Sequence, residues 1–274
     1  MHDDVKDDIF PDPDGLVQGW TASGPAGRDT IIPDLVLICE HASNRVAGAW
    51  SAADAALLAS HAASDPGALG LAQALGQSLA RAGHRVELIH APYSRLIYDL
   101  NRSPDRPDAC PVQSEIHHIP LNDGLSRAER LSRMTGLYLP FHDLVRARIA
   151  RALVLGARPA LVTVHSFSPV WHGTARQVQF GVIHDDLPAL AQAIVAQATD
   201  LGLVTELNAP YSAADHVTHT LRLHALPYGL ENAMLEFRND LLATPAQQAD
   251  IAARLAPVIS RAVAQVSEVP CPAQ

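Results

Sequence analysis

Two short, almost uninterrupted apolar runs restrict the fold of this chain most: Leu35-Val36-Leu37-Ile38-Cys39 and Ala160-Leu161-Val162-Thr163-Val164. A strand with one wet face alternates apolar and polar residues. These runs do not alternate, so both of their faces must be covered, as in the interior of a parallel sheet. Alanine- and leucine-rich stretches at 52–62, 67–82, 126–155, 187–200 and 245–266 read as helices. Gly83 and Gly202 stand where helices stop, and Pro140 is a kink or break. Further strands are expected at 85–89, 177–183, 203–207 and 229–237, with an extended segment at 93–98. Residues 103–123, rich in Pro, Asp and His, read as a long loop, and 1–33 as an irregular lead-in with room for a short edge strand. Strands alternating with helices predict a single α/β domain over 1–274, with a mixed, mainly parallel sheet flanked by helices.

Several function classes are disfavoured at this stage. The net charge is −9, whereas nucleic-acid partners usually demand a basic face. No run of about 18 apolar residues is present, so no membrane partner is expected. The acidic start MHDDVKDDIF has no apolar core of a secretion signal. Cys39, Cys110 and Cys271 are widely spaced and form no disulfide framework, which fits a reducing cytoplasm. No glycine-rich dinucleotide or phosphate loop occurs, and no G-x-S-x-G elbow presents Ser166 as a nucleophile.

The polar residues of interest fall at the carboxyl ends of the apolar strands. Glu40 and His41 follow the first run, His165 follows the second, and Glu236 follows Ala233-Met234-Leu235. Ligands of open α/β sheets bind beyond those ends. A lone strand-end histidine is ordinarily structural. Two of them with a glutamate form a candidate metal-plus-base set, since hydrolytic zinc takes three protein ligands and leaves one position open. A second cluster, Arg95, Asp99, Asn101 and Arg102, can clamp a carboxylate, with Asp99 able to orient an arginine or histidine from behind, or can form a surface ion-pair network.

Six motifs then resemble, in order, the N-formylglutamate amidohydrolase family. They are Cys39-Glu40-His41-Ala42-Ser43-Asn44, Ser64-Asp65-Pro66-Gly67-Ala68, Ser94 to Arg102, His165-Ser166-Phe167-Ser168-Pro169, Asn208-Ala209-Pro210-Tyr211 and Leu235 to Leu241. The Asp99-Leu100-Asn101-Arg102 string is also similar to aspartoacylases and succinylglutamate desuccinylases, which have a zinc-carboxypeptidase-like fold. The resemblance implies a zinc- or other divalent-metal-dependent hydrolase of the amide bond in a small N-acyl amino acid such as N-formylglutamate. It implies His41 and His165 as metal ligands and Glu236 as general base. Arg95, Asp99, Asn101 and Arg102 would form the substrate site, and Arg176 would stabilise the oxyanion. The related group has His-x-x-Glu, but Asn44 stands three residues after His41. The third ligand is therefore expected from Asp65, with Glu40 as the alternative. The alternatives are an aspartoacylase- or carboxypeptidase-like enzyme of another substrate, and a metal-free binding protein for acylated amino acids.

Overall fold

The computed structural model describes residues 16–27, 30–48 and 53–267. Most of the expected elements are present with shifted ends. Strands β1 (Val17–Thr21) and β2 (Gly24–Ala26) precede β3 (Leu35–Cys39). Helices α1 (Ala55–Leu58) and α2 (Ala68–Arg81) lead to β4 (Val86–His90). The long loop carries a hairpin, β5 (Gln113–Ser114) and β6 (His117–His118). Helix α3 (Arg127–Arg133) continues through a π turn into α4 (Leu139–Val154), and Pro140 directly follows that turn, whose altered hydrogen bonding accommodates the missing N–H. Then come β7 (Ala160–Phe167), the hairpin β8 (Val170–Trp171) and β9 (Thr174–Ala175), and β10 (Phe180–Ile183). The chain ends with α5 (Ala189–Gln197), β11 (Thr205–Leu207), α6 (His219–His224), β12 (Asn232–Arg238) and α7 (Pro245–Ser267).

Within the lead-in, the room for a short edge strand is taken by β1 and β2: β1 pairs antiparallel with β4 and extends the sheet. Two expectations are corrected. The helix expected at 52–62 shrinks to Ala55–Leu58, ended by successive turns. Residues 93–98 form turns rather than an extended segment. Residues 1–15 of the lead-in, Ala52 and Cys271 lie outside the described residues.

Eight strands form one sheet in the order β11-β10-β12-β7-β3-β4-β1-β2. Its centre, β12-β7-β3-β4, is parallel, while β10 and β1 run against their inner neighbours. The sheet is therefore mixed and mainly parallel, flanked by helices. Alternation along each strand splits the core in two. Leu35, Leu37, Val162, Val164 and Leu235 pack with α2, α5 and α7, while Val36, Ile38, Leu161 and Met234 pack with α4 and α6. Each such fully buried side chain contributes roughly 1.5–3 kcal/mol. Among the described residues no helix is long and apolar enough to cross a membrane.

Candidate functional site

The parallel centre of the sheet brings distant residues to one edge. Glu236 lies opposite His165 in the β12–β7 register, and Ile38 lies opposite Thr163, two residues before Glu40 and His165. Side chains alternate along a strand, so Glu40, His165 and Glu236 share one face. His41 begins the loop after β3. Asp65 is held next to it because its backbone N–H donates to the His41 carbonyl at 3.0 Å. The turn after Asp65 needs Gly67, whose φ is +81° and whose Cβ, if present, would sit 2.5 Å from Leu242 Cβ. Gly67→Ala is expected to destabilise the fold by roughly 2–5 kcal/mol, from left-handed strain plus overpacking. A denaturation midpoint unchanged from the parent protein would contradict this account of the turn.

Three atoms converge at the edge. His165 Nδ1 lies 2.9 Å from Asp65 Oδ2 and 3.2 Å from His41 Nδ1, and His41 Nδ1 lies 3.3 Å from Asp65 Oδ2. All three side chains are buried. Behind His41, Nε2 donates to Asp99 Oδ1 at 2.8 Å, because a carboxylate can only accept. In a neutral His41 the lone pair is then on Nδ1 and faces the other two atoms. Behind His165, Glu40 Oε2 lies 3.1 Å from Nε2, close enough for attraction but off the line of a hydrogen bond. Nitrogen and oxygen ligands about 2.0–2.1 Å from a tetrahedral zinc are separated by roughly 3.3 Å, close to these three spacings. Without a cation, protons must keep the lone pairs apart. The donor set therefore fits a divalent metal.

The charges are strongly coupled. Burial opposes ionisation of Asp65, yet His41, His165 and Arg95 hold its carboxyl well below the usual range. Burial likewise disfavours a charged His165, but Glu40 and Asp65 raise it well above an ordinary imidazole. Arg95 lies against Asp99 and reaches Asp65 Oδ1 at 3.2 Å. Glu236 differs from the other carboxylates. Burial pushes it up to about 7, the Asp65 charge adds to that push, and its Oε2 has no hydrogen-bond partner among the described residues. A carboxylate balanced between its two forms near neutrality is suited to taking and returning a proton.

These residues line a cavity of about 280 Å³, walled also by Arg95, Arg102, Trp171 and Tyr211. The expected substrate residues are not all placed for that role. Asn101 lines the cavity, but its amide is committed to Val217 O and to the backbone N–H of Thr220, so it braces the loop before α6. Asp99 serves His41 and Arg95 and is absent from the wall. Arg102 is on the wall, steadied by Asp108 at 3.2 Å. Arg176 is not on the wall. It stands among Phe167, Trp171 and Tyr211, with ring centroids 5.4, 5.0 and 4.9 Å away, and donates to the Tyr211 hydroxyl at 3.0 Å. Trp171, Tyr211 and His61 were assigned no role from the sequence. Only Tyr211 had a signal, in Asn208-Ala209-Pro210-Tyr211. Its loop passes so close to β10 that a Cβ on Gly181 would collide with Ala209 O.

Known proteins resemble this chain over most of its length. The model of the N-formylglutamate amidohydrolase family matches residues 33–243. A gene product of Agrobacterium tumefaciens of known structure is 42% identical, with a TM-score of 0.84 over 95% of this chain and 100% of that one. An N-formylglutamate amidohydrolase from Ralstonia eutropha is 17% identical and shares the fold at a TM-score of 0.62, over 92% of this chain and 98% of its own. No curated protein matches the chain.

Proposed function

The chain belongs to the N-formylglutamate amidohydrolase family, a family of hydrolases, and from that premise we propose that it is a divalent-metal-dependent amidohydrolase cleaving the amide of a small N-acyl amino acid. N-formylglutamate is the first substrate to test. The observation that carries this reading is the buried triangle of His41, Asp65 and His165 beside the unpartnered carboxyl of Glu236. The buried free thiols Cys39 and Cys110 suit a reducing cytoplasm.

His41 Nδ1, His165 Nδ1 and Asp65 Oδ2 would hold the ion, zinc being the natural choice for two imidazoles and a carboxylate. When bound, such an ion polarises an acyl carbonyl and acidifies water. Asp99 keeps the His41 ring turned with Nδ1 inward. Glu236 accepts the proton of the attacking water and returns it to the leaving nitrogen, so the amine departs neutral. Arg102 and Arg95 present guanidinium groups to the cavity and hold the carboxylate of the amino-acid part. Arg176 acts behind the wall, fixing Tyr211 and Trp171, rather than at the oxyanion.

The direct test is metal analysis of the purified protein together with formate release from N-formylglutamate. About one zinc per chain with formate release supports the proposal. A chain that takes up no metal after zinc-supplemented expression returns the site to a binding role. Arg102→Ala is expected to raise KM about 10–100-fold, the loss of a charged hydrogen bond to substrate. Its metal content should not change. Loss of the metal in that variant would remove Arg102 from the substrate clamp.

A further inference from the structure

We propose that Glu40 is a positioning residue for His165, holding the imidazole with Nδ1 toward the metal triangle. This rests on the metal-binding reading above. Glu40 directly precedes His41 in the chain, in the turn after β3, but its carboxylate faces the other histidine.

Glu40 is 1% exposed, and neither of its carboxylate oxygens has a hydrogen-bond partner among the described residues. A carboxylate so deeply buried persists only with compensation from a nearby group. The compensating group is His165, with Nε2 3.1 Å from Oε2. Nε2 lies across the ring from Nδ1, the atom that faces Asp65 and His41. An anion at that edge favours the tautomer with hydrogen on Nε2 and leaves the Nδ1 lone pair free. It also makes Nδ1 a stronger donor. Asp99 backs His41 on the corresponding Nε2 edge, there with a hydrogen bond at 2.8 Å. The two imidazoles are thus each backed by one carboxylate.

Arg95 is spent on Asp65 and Asp99, which leaves His165 as the contact of Glu40. Glu40 is also not placed as a ligand. It sits at the far edge of the His165 ring, outside the group of converging atoms.

The test compares the unaltered protein with Glu40→Ala and Glu40→Gln by zinc titration against a chromophoric chelator and by the visible spectrum of the cobalt(II) form. Glu40→Ala is expected to weaken zinc binding about 10–100-fold and to shift the cobalt bands, as loss of an outer partner does. Glu40→Gln should recover part of the affinity, because its amide oxygen can still face Nε2. If Glu40→Ala does not fold, Glu40→Gln carries the test, with affinity between the unaltered protein and a tenfold loss expected. Zinc affinity and cobalt bands unchanged in whichever variant folds would overturn the proposal. Cobalt bands in Glu40→Gln showing a lost ligand would also overturn it, by making Glu40 a direct ligand. An unaltered protein that binds no zinc sinks the metal reading itself, which separates the two failures.

Discussion

Glu236→Gln is expected to lower turnover by about 10²–10⁴-fold, the usual contribution of a positioned general base. The substitution keeps the size and shape of the side chain but removes its capacity to carry a proton. Glu236 is buried, is pushed up to about 7 by that burial, and leaves one oxygen without a partner in the cavity. The variant should fold and retain its metal, because Glu236 is not one of the three converging atoms. Near-parental turnover with full metal content would take the base role from Glu236. Loss of the metal would move Glu236 into the ligand set.

Asp65→Asn is expected to empty the metal site at ordinary zinc concentrations and to cut turnover by about 10³-fold or more, the several kcal/mol that a Lewis acid contributes to an acyl-transfer barrier. The amide is nearly the same size, so the Asp65 turn and its bond to the His41 carbonyl can survive. What disappears is the one anionic atom of the triangle, 2.9 Å from His165 Nδ1 and 3.3 Å from His41 Nδ1. Chelation of the unaltered protein should give the same loss, reversed by added zinc. A variant that keeps one zinc per chain at parental affinity would leave the third ligand to another residue and end the case for Asp65.

Much of the fold was legible because burial on two faces leaves a plain trace. Leu35–Cys39 and Ala160–Val164 had no polar face to offer water, so they had to be interior strands, and they are neighbours in the sheet. The first strand pair was harder to see. Val17–Thr21 and Gly24–Ala26 contain Gln, Gly and Pro, and they are strands because β4 offers an open edge rather than because of their own propensity. The Ala55–Leu58 helix is shorter than its composition suggests for the opposite reason. Alanine favours helix everywhere, while the turns that end this one bring His61 to the cavity wall.

The sequence by itself determined the set of chemical groups and the edge of the sheet that would hold them. Glu40, His41, His165 and Glu236 all follow apolar runs, and parallel strands end on the same side. Tertiary structure alone decided which of those groups meet. Asp65 comes into reach of both histidines through one backbone hydrogen bond, Glu40 stands behind His165 instead of beside the triangle, Asn101 is spent on holding a loop, and Arg176 withdraws behind an aromatic wall. The reason is physical: periodicity encodes which face a side chain takes, but contacts between residues 24 to 124 positions apart depend on how loops close, and local sequence carries little of that information.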